Sequence, residues 1–128
     1  MQFSGWRVDV SNNNHWLLEM RLFKVVPGTR TEFDRISREG TIPLMRRHGI
    51  TVIAYGPSVD DDDSYFLLRA FASKEQRAEQ SESLYATAEW MENYDGPVMA
   101  MIDSYQTAVT PANRHVVQQL TDGLGIAA

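Results

Sequence analysis

From His15 to Val109 the apolar residues switch repeatedly between a spacing of two and a spacing near 3.6, and the order of those switches limits the folds open to this chain. In His15–Val26, Leu18, Met20, Leu22 and Val26 share one face, while Leu17, Glu19, Arg21, Phe23 and Val25 share the other. That is a strand with one almost wholly apolar face and one mixed face. Pro27-Gly28 ends it. Thr29-Arg30-Thr31-Glu32 fits a capping box, with Thr29 as N-cap and Glu32 reaching back to its amide. A helix over about 30–48 follows, with Phe33 and Ile36 inward, weakened at Gly40 and restarted at Pro43. Gly49 suits the left-handed residue that closes it. Ile50–Tyr55 and Tyr65–Phe71 read as strands joined around the loop Asp60–Asp63. Ser73-Lys74-Glu75-Gln76 is a second capping box and starts a helix over about 74–86. Thr87 can cap a short helix carrying Trp90, Met91 and Tyr94. Asp95-Gly96-Pro97 reads as a turn before a last strand, Val98–Val109.

The order β-α-β-β-α-β defines a ferredoxin-like α+β unit: a four-stranded antiparallel sheet with helices on one face. Right-handed crossovers give the strand order 4-1-3-2. Residues 1–15 read as an irregular arm, 16–109 as the domain, and 110–128 as a tail in which Arg114–Leu120 has helical character and Gly123, Gly125 and the last alanines look frayed. At 128 residues and 43% hydrophobic, the chain suits one globular domain.

Helices on one face leave the other face of the sheet to be covered. Strand parity predicts that the uncovered face carries Leu17, Phe23, Ile53, Tyr55, Leu67, Phe71, Met99, Met101 and Tyr105. A patch that apolar needs a cover, and a second copy supplies one. The expected partner is therefore the chain itself, in a face-to-face homodimer with a shared barrel-like core.

Composition excludes several chemistries. There are no cysteines, so disulfides, thiolate catalysis and cysteine metal sites are out. A formal net charge of -5 argues against a nucleic-acid partner. No apolar stretch approaches the roughly 18 residues of a membrane span, and the first residues do not read as a signal peptide. A cytoplasmic protein is expected. No Rossmann, P-loop, zincin or esterase motif occurs, and no cofactor is expected. Asp60–Asp63 fails the calcium-loop pattern, since Tyr65 and Phe71 stand where a glycine and a glutamate are required.

Leu18-Glu19-Met20-Arg21-Leu22, Pro27-Gly28, Phe33, Pro43, His48-Gly49-Ile50 and Leu84-Tyr85-Ala86-Thr87-Ala88-Glu89-Trp90 together resemble the NIPSNAP family over residues 16–109. Where the family pattern has Asp-Pro before Glu-Trp, this chain has Thr87-Ala88, which keeps the N-cap chemistry. The resemblance implies the dimeric α+β barrel superfamily. Its members include cofactor-free monooxygenases, haem-degrading enzymes, lactone isomerases and decyclases, and fold analogy does not choose among them.

The candidate site residues follow from placement. Glu19, Arg21, Arg69 and Asp103, with Tyr55, Tyr65 and Tyr105, fall on the mixed face. They form either a cross-strand or inter-subunit salt-bridge network or a polar pocket in which Arg69 orients an acidic or carbonyl ligand. His48 meets the negative end of the first helix, either as a cap or as a catalytic base or haem ligand. The inner face of the second long helix is thin, at Ala78 and Ser81. Either that helix packs close to the sheet, or a cavity remains with Leu84, Tyr85, Trp90 and Tyr94 at its mouth and Phe33 and Ile36 opposite. The expected function is binding of a small apolar or aromatic ligand, or of a partner, by a homodimer. The alternatives are a cofactor-free monooxygenase or isomerase, and a haem-binding or haem-degrading protein.

Overall fold

The computed structural model describes residues 15–124; the arm before His15 and the residues after Leu124 lie outside them. The strands are β1 (His15–Val25), β2 (Thr51–Pro57), β3 (Ser64–Phe71) and β4 (Ile102–Asn113). They form one antiparallel sheet in the order β2-β3-β1-β4, which is the predicted order read from the other edge. The helices are α1 (Arg30–Ile36), α2 (Ile42–Arg47), α3 (Lys74–Tyr85), α4 (Ala88–Asn93), α5 (Asp95–Met101) and α6 (Arg114–Leu124). A π-helical turn, Ser37–Thr41, joins α1 to α2.

Two of the predicted caps form as read. The Ser73 hydroxyl accepts the Gln76 amide at 3.0 Å, and Thr87 accepts the Trp90 amide at 3.1 Å. Gln76 reaches back to the amide of Ala72, at 2.7 Å. The Thr29 capping box does not form. The Thr29 hydroxyl donates to the Val26 carbonyl at 2.6 Å, closing the Pro27-Gly28 turn, and Glu32 is held by Arg35 at 2.6 Å. The acidic loop is ordered by Asp61, whose carboxylate accepts the amides of Asp63 and Ser64 at 2.8 and 2.7 Å.

The last strand starts later than its spacing suggests. Val98–Met101 is the end of α5 rather than the start of a strand. Val98 and Met101 are buried and three apart, whereas Met99 and Ala100 are exposed, so the local period is helical. Pro97 sits in the first turn of that helix, where its missing N–H costs nothing. At its other end β4 runs on through Thr110–Asn113, paired with Leu18–His15 of β1. Pro111 is tolerated because β4 is an edge strand. Asn113 then caps α6, its Oδ1 accepting the Val116 amide at 2.8 Å. Residues 110–124, read above as a tail, are therefore strand and helix.

The parity of the faces is the reverse of that predicted. Leu17, Phe23, Tyr55, Leu67 and Phe71 lie on the face covered by α1 to α5, and most of them belong to its core with Phe33, Ile36, Leu44, Met45, Leu84 and Trp90. The mixed face can be covered because Glu19 and Arg69 on it pair with each other within the chain. An irregularity in the β2–β3 register between Val52 and Ala54 turns Ile53 to the opposite face, where it packs with Ala54, Ala70 and Val117. That opposite face is the apolar one of β1, continued by Phe66 and Leu68 on β3. Helix α6 covers part of it, but Met20 is 36% and Leu22 57% exposed.

Gly40 fixes how the π-helical turn meets α4 and α5. A Cβ on Gly40 would collide with the ring of Tyr94, so the ring lies directly against the backbone. Gly40→Ala is expected to destabilise the protein by about 1–3 kcal/mol through overpacking. In a Tyr94→Ala background the same change should become neutral or stabilising, because Ala is the better helix former by up to about 1 kcal/mol. Urea denaturation of the four variants of this cycle checks both signs.

Candidate functional site

The mixed face of β1 builds the site. The register sets Glu19 directly opposite Arg69 on β3, close enough for a cross-strand pair. Arg69 donates to both carboxylate oxygens, Nε to Oε1 at 2.7 Å and Nη2 to Oε2 at 3.0 Å, and both side chains are fully buried. Arg77 of α3 adds a third bond, Nε to Oε2 at 2.8 Å. Arg69 also lies over the ring of Phe71, 5.4 Å from its centroid. Burial pushes the Glu19 carboxyl up, but Arg69, with Arg21 and Arg77, outweighs it and holds the carboxyl below the usual carboxylate range. Burial likewise disfavours the charged form of Arg69, and Glu19 more than compensates, raising its pKa.

The network also explains the thin inner face of α3. Ala78 is exposed, and α3 instead turns Arg77, Ser81 and Leu84 inward. The helix is held there by an ion pair, Arg77 to Glu19. Asp103 takes no part. Val109 and Thr107 stand opposite Glu19 and Arg21, and Asp103 falls exposed at the irregular start of β4, because that strand begins four residues later than its spacing implies.

A cavity of about 320 Å³ opens beside this network. The sheet supplies Arg21, Phe23, Tyr55, Tyr65, Leu67 and Tyr105. Opposite stand Phe33, Ser37, Thr41, Ile42 and Met45 of the segmented helix, with Tyr85, Trp90, Asp95, Val98, Met99 and Ile102 closing the rest. Seven of the seventeen lining residues are aromatic. Tyr105, Phe23, Phe33 and Tyr65 follow one another with centroids 5.0–6.1 Å apart, and Tyr85 meets Trp90 edge-on at 4.9 Å. The polar atoms are few. Tyr65 donates to Asp34 at 2.6 Å, and burial together with that bond pushes its phenol well above the usual range. Trp90 Nε1 donates to Asp95 at 3.2 Å. Arg21 enters with its side chain 19% exposed.

Of the residues proposed from sequence, Phe33, Tyr85 and Trp90 line this cavity. Ile36 is buried in the core beside it, and Tyr94 packs behind Trp90 against Gly40. Arg69 lies beneath, spent on Glu19. His48 is exposed at the C-terminal end of α2 and does not line the cavity. Arg21, Met45 and Met99 were not singled out as ligand contacts. Spacing marks Arg21 as a charge on the mixed face, but it reads the end of α5 that brings in Met99 as strand. Among the described residues, no group of three His, Cys, Asp or Glu side chains is placed to hold a metal ion, and no helix is long and apolar enough to cross a membrane.

A ferredoxin-like α+β sheet with a walled aromatic cavity between sheet and helices defines the class. The NIPSNAP family model matches residues 18–113, and the chain belongs to that family. Solved structures agree in fold. A NIPSNAP family protein of unknown function from Agrobacterium tumefaciens is 18% identical, with a TM-score of 0.72 over 80% of this chain and 93% of that one. An uncharacterised NIPSNAP-like domain protein from Burkholderia xenovorans is 21% identical, with a TM-score of 0.68 over 75% and 84%. A candidate antibiotic biosynthesis monooxygenase from Nitrosomonas europaea is 16% identical, with a TM-score of 0.59 over 79% and 92%. No curated protein matches this chain.

Glu19→Gln should destabilise the protein by about 3–5 kcal/mol, because it leaves Arg69 buried without its counter-charge. The Glu19 contribution also has a defined pH window. Its folded pKa lies below the ordinary 4.5, so the unfolded state binds the proton first as pH falls. The stabilisation is present above 4.5 and is lost as pH drops through the folded value. Urea unfolding at pH 7 and pH 3 should show a larger loss in the wild type than in Glu19→Gln.

Proposed function

We propose that this protein binds a small apolar or aromatic molecule in the cavity between sheet and helices, and does so as a homodimer. The cavity carries the reading. It is about twice the ~150 Å³ of an apolar cavity that holds benzene, and it falls at the small end of ordinary ligand sites. Rings on opposing walls suit a flat hydrophobic guest, and the scarcity of free polar groups disfavours a sugar or a nucleotide. Phe33, Tyr85 and Trp90 would contact the guest; Ile36 and Tyr94 would hold those rings in place. The face on which Met20 and Leu22 are exposed and Leu18, Phe66 and Leu68 are half-buried supports the second copy, because a contiguous apolar patch on a sheet is costly in water. The cavity lies on the other side of the same sheet, so one copy can bind a guest while docked.

Native mass spectrometry of the purified protein, followed by the same sample denatured, is expected to show a dimer carrying a reproducible extra mass. Adding a fitting ring compound at a hundredfold excess over Kd should raise Tm by roughly 10 °C and change Trp90 fluorescence. Met99 is exposed where it meets the cavity, so Met99→Trp can obstruct the cavity without disturbing the core and should lower occupancy. His48→Ala should leave binding unchanged. A clean mass, together with no thermal shift across a panel of ring compounds, would overturn the ligand reading. Leu22→Arg should convert the dimer to a monomer by sedimentation; a monomeric wild type would overturn the dimer.

A further inference from the structure

Among the described residues Arg21 is the one cation lining the cavity, and its surroundings leave it undersatisfied. A guanidinium carries five N–H donors. Arg21 Nε is buried and has no hydrogen-bond partner. Its remaining contacts are long: Nη1 to the Tyr85 hydroxyl at 3.4 Å and Nη2 to Glu19 Oε2 at 3.7 Å. Glu19 is committed elsewhere, since its oxygens accept three shorter bonds from Arg69 and Arg77. One carboxylate thus faces three guanidiniums, and the positive charge left over sits at the cavity wall. Tyr105 lies under the Arg21 guanidinium, 5.7 Å from carbon to ring centroid, and holds its plane without supplying an acceptor. The lining carboxylate, Asp95, already accepts from Trp90 Nε1.

We propose that the natural guest of this cavity is an anion, a small aromatic or apolar carboxylic acid, whose carboxylate seats on Arg21 while its ring packs among Phe23, Phe33, Tyr85 and Trp90. This rests on the ligand reading above and adds the charge of the guest. A planar fork with unused donors matches a carboxylate better than any neutral group. The guest carboxylate accepts from the Nη donors, whose contacts within the protein are long, and so completes a hydrogen-bond set that the protein leaves open.

The experiment compares 2-naphthoate with 2-naphthamide, which share shape and differ in charge, by calorimetric titration of the full chain. Wild type should bind the acid roughly 10- to 100-fold more tightly, the difference that a charge-assisted bond makes. Arg21→Met keeps the length and removes the charge, and should bind both alike. Arg21→Lys restores the charge without the fork and should recover part of the preference. That holds even if the Met variant folds poorly, which circular dichroism reports. Equal affinity of wild type for acid and amide would overturn the anion proposal and leave the cavity reading standing. Binding of neither compound, or of other ring acids and amides in the panel above, would overturn both.

Discussion

The structure depends on a buried carboxylate, Glu19, held between two strands and a helix. Desolvating an ion pair costs several kcal/mol per ion, and attraction repays it only when geometry is good and the remaining donors are used. Here Arg69 meets both oxygens from the facing register position, and Arg77 closes the set from α3. That completeness lets a face with charges on it become the inside of the protein. It also explains how a helix with so little apolar surface is fixed to the sheet. Leu84 is its only fully buried residue, and the helix is anchored by Arg77 to Glu19 and by Gln80 to the Gly49 carbonyl at 3.1 Å.

Much of the fold was legible because it rests on local signals. Period-two spacing marked β1, β2 and β3, Ser73 and Thr87 marked helix starts, and connection handedness gave the strand order. What was not legible depends on pairing across distance. Apolar content alone suggests that the purely apolar face of β1 is the inside. The outcome was decided by Glu19 and Arg69 satisfying each other, which no single segment records. Val98–Met101 was ambiguous for a similar reason. Four apolar residues fit either period, and burial of Val98 and Met101 resolves them as helix.

The candidate site was legible in its aromatic half. Phe33, Tyr85 and Trp90 follow from the inner faces of three helices, two of which start at the caps Ser73 and Thr87. In the polar half, spacing points to Arg69, whereas the arginine that lines the cavity is Arg21 on the adjacent strand. Arg69 and Arg21 share a sheet face, and the difference between them is register. Arg69 stands opposite Glu19, while Arg21 is one pleat further along and stands opposite Leu67. A shift of two residues along a strand separates a charge that closes a network from a charge that borders a cavity.

Strand β1 therefore divides its labour along its length and across its faces. Its inward residues run from Leu17 and Glu19, which close the core, through Arg21 and Phe23, which line the cavity, to Val25, which is buried again. Its outward residues, Leu18, Met20 and Leu22, carry the apolar patch. Because side chains alternate strictly, changes on one face need not disturb the other, and a charge at position 21 can vary without cost to the patch at 20 and 22. The reverse does not hold for position 19. Losing that carboxylate would free the positive charge of Arg69 beneath the helices, and the helices form the other wall of the cavity. Stability and site geometry are thus coupled through Glu19, whereas Arg21 is the charge that borders the cavity.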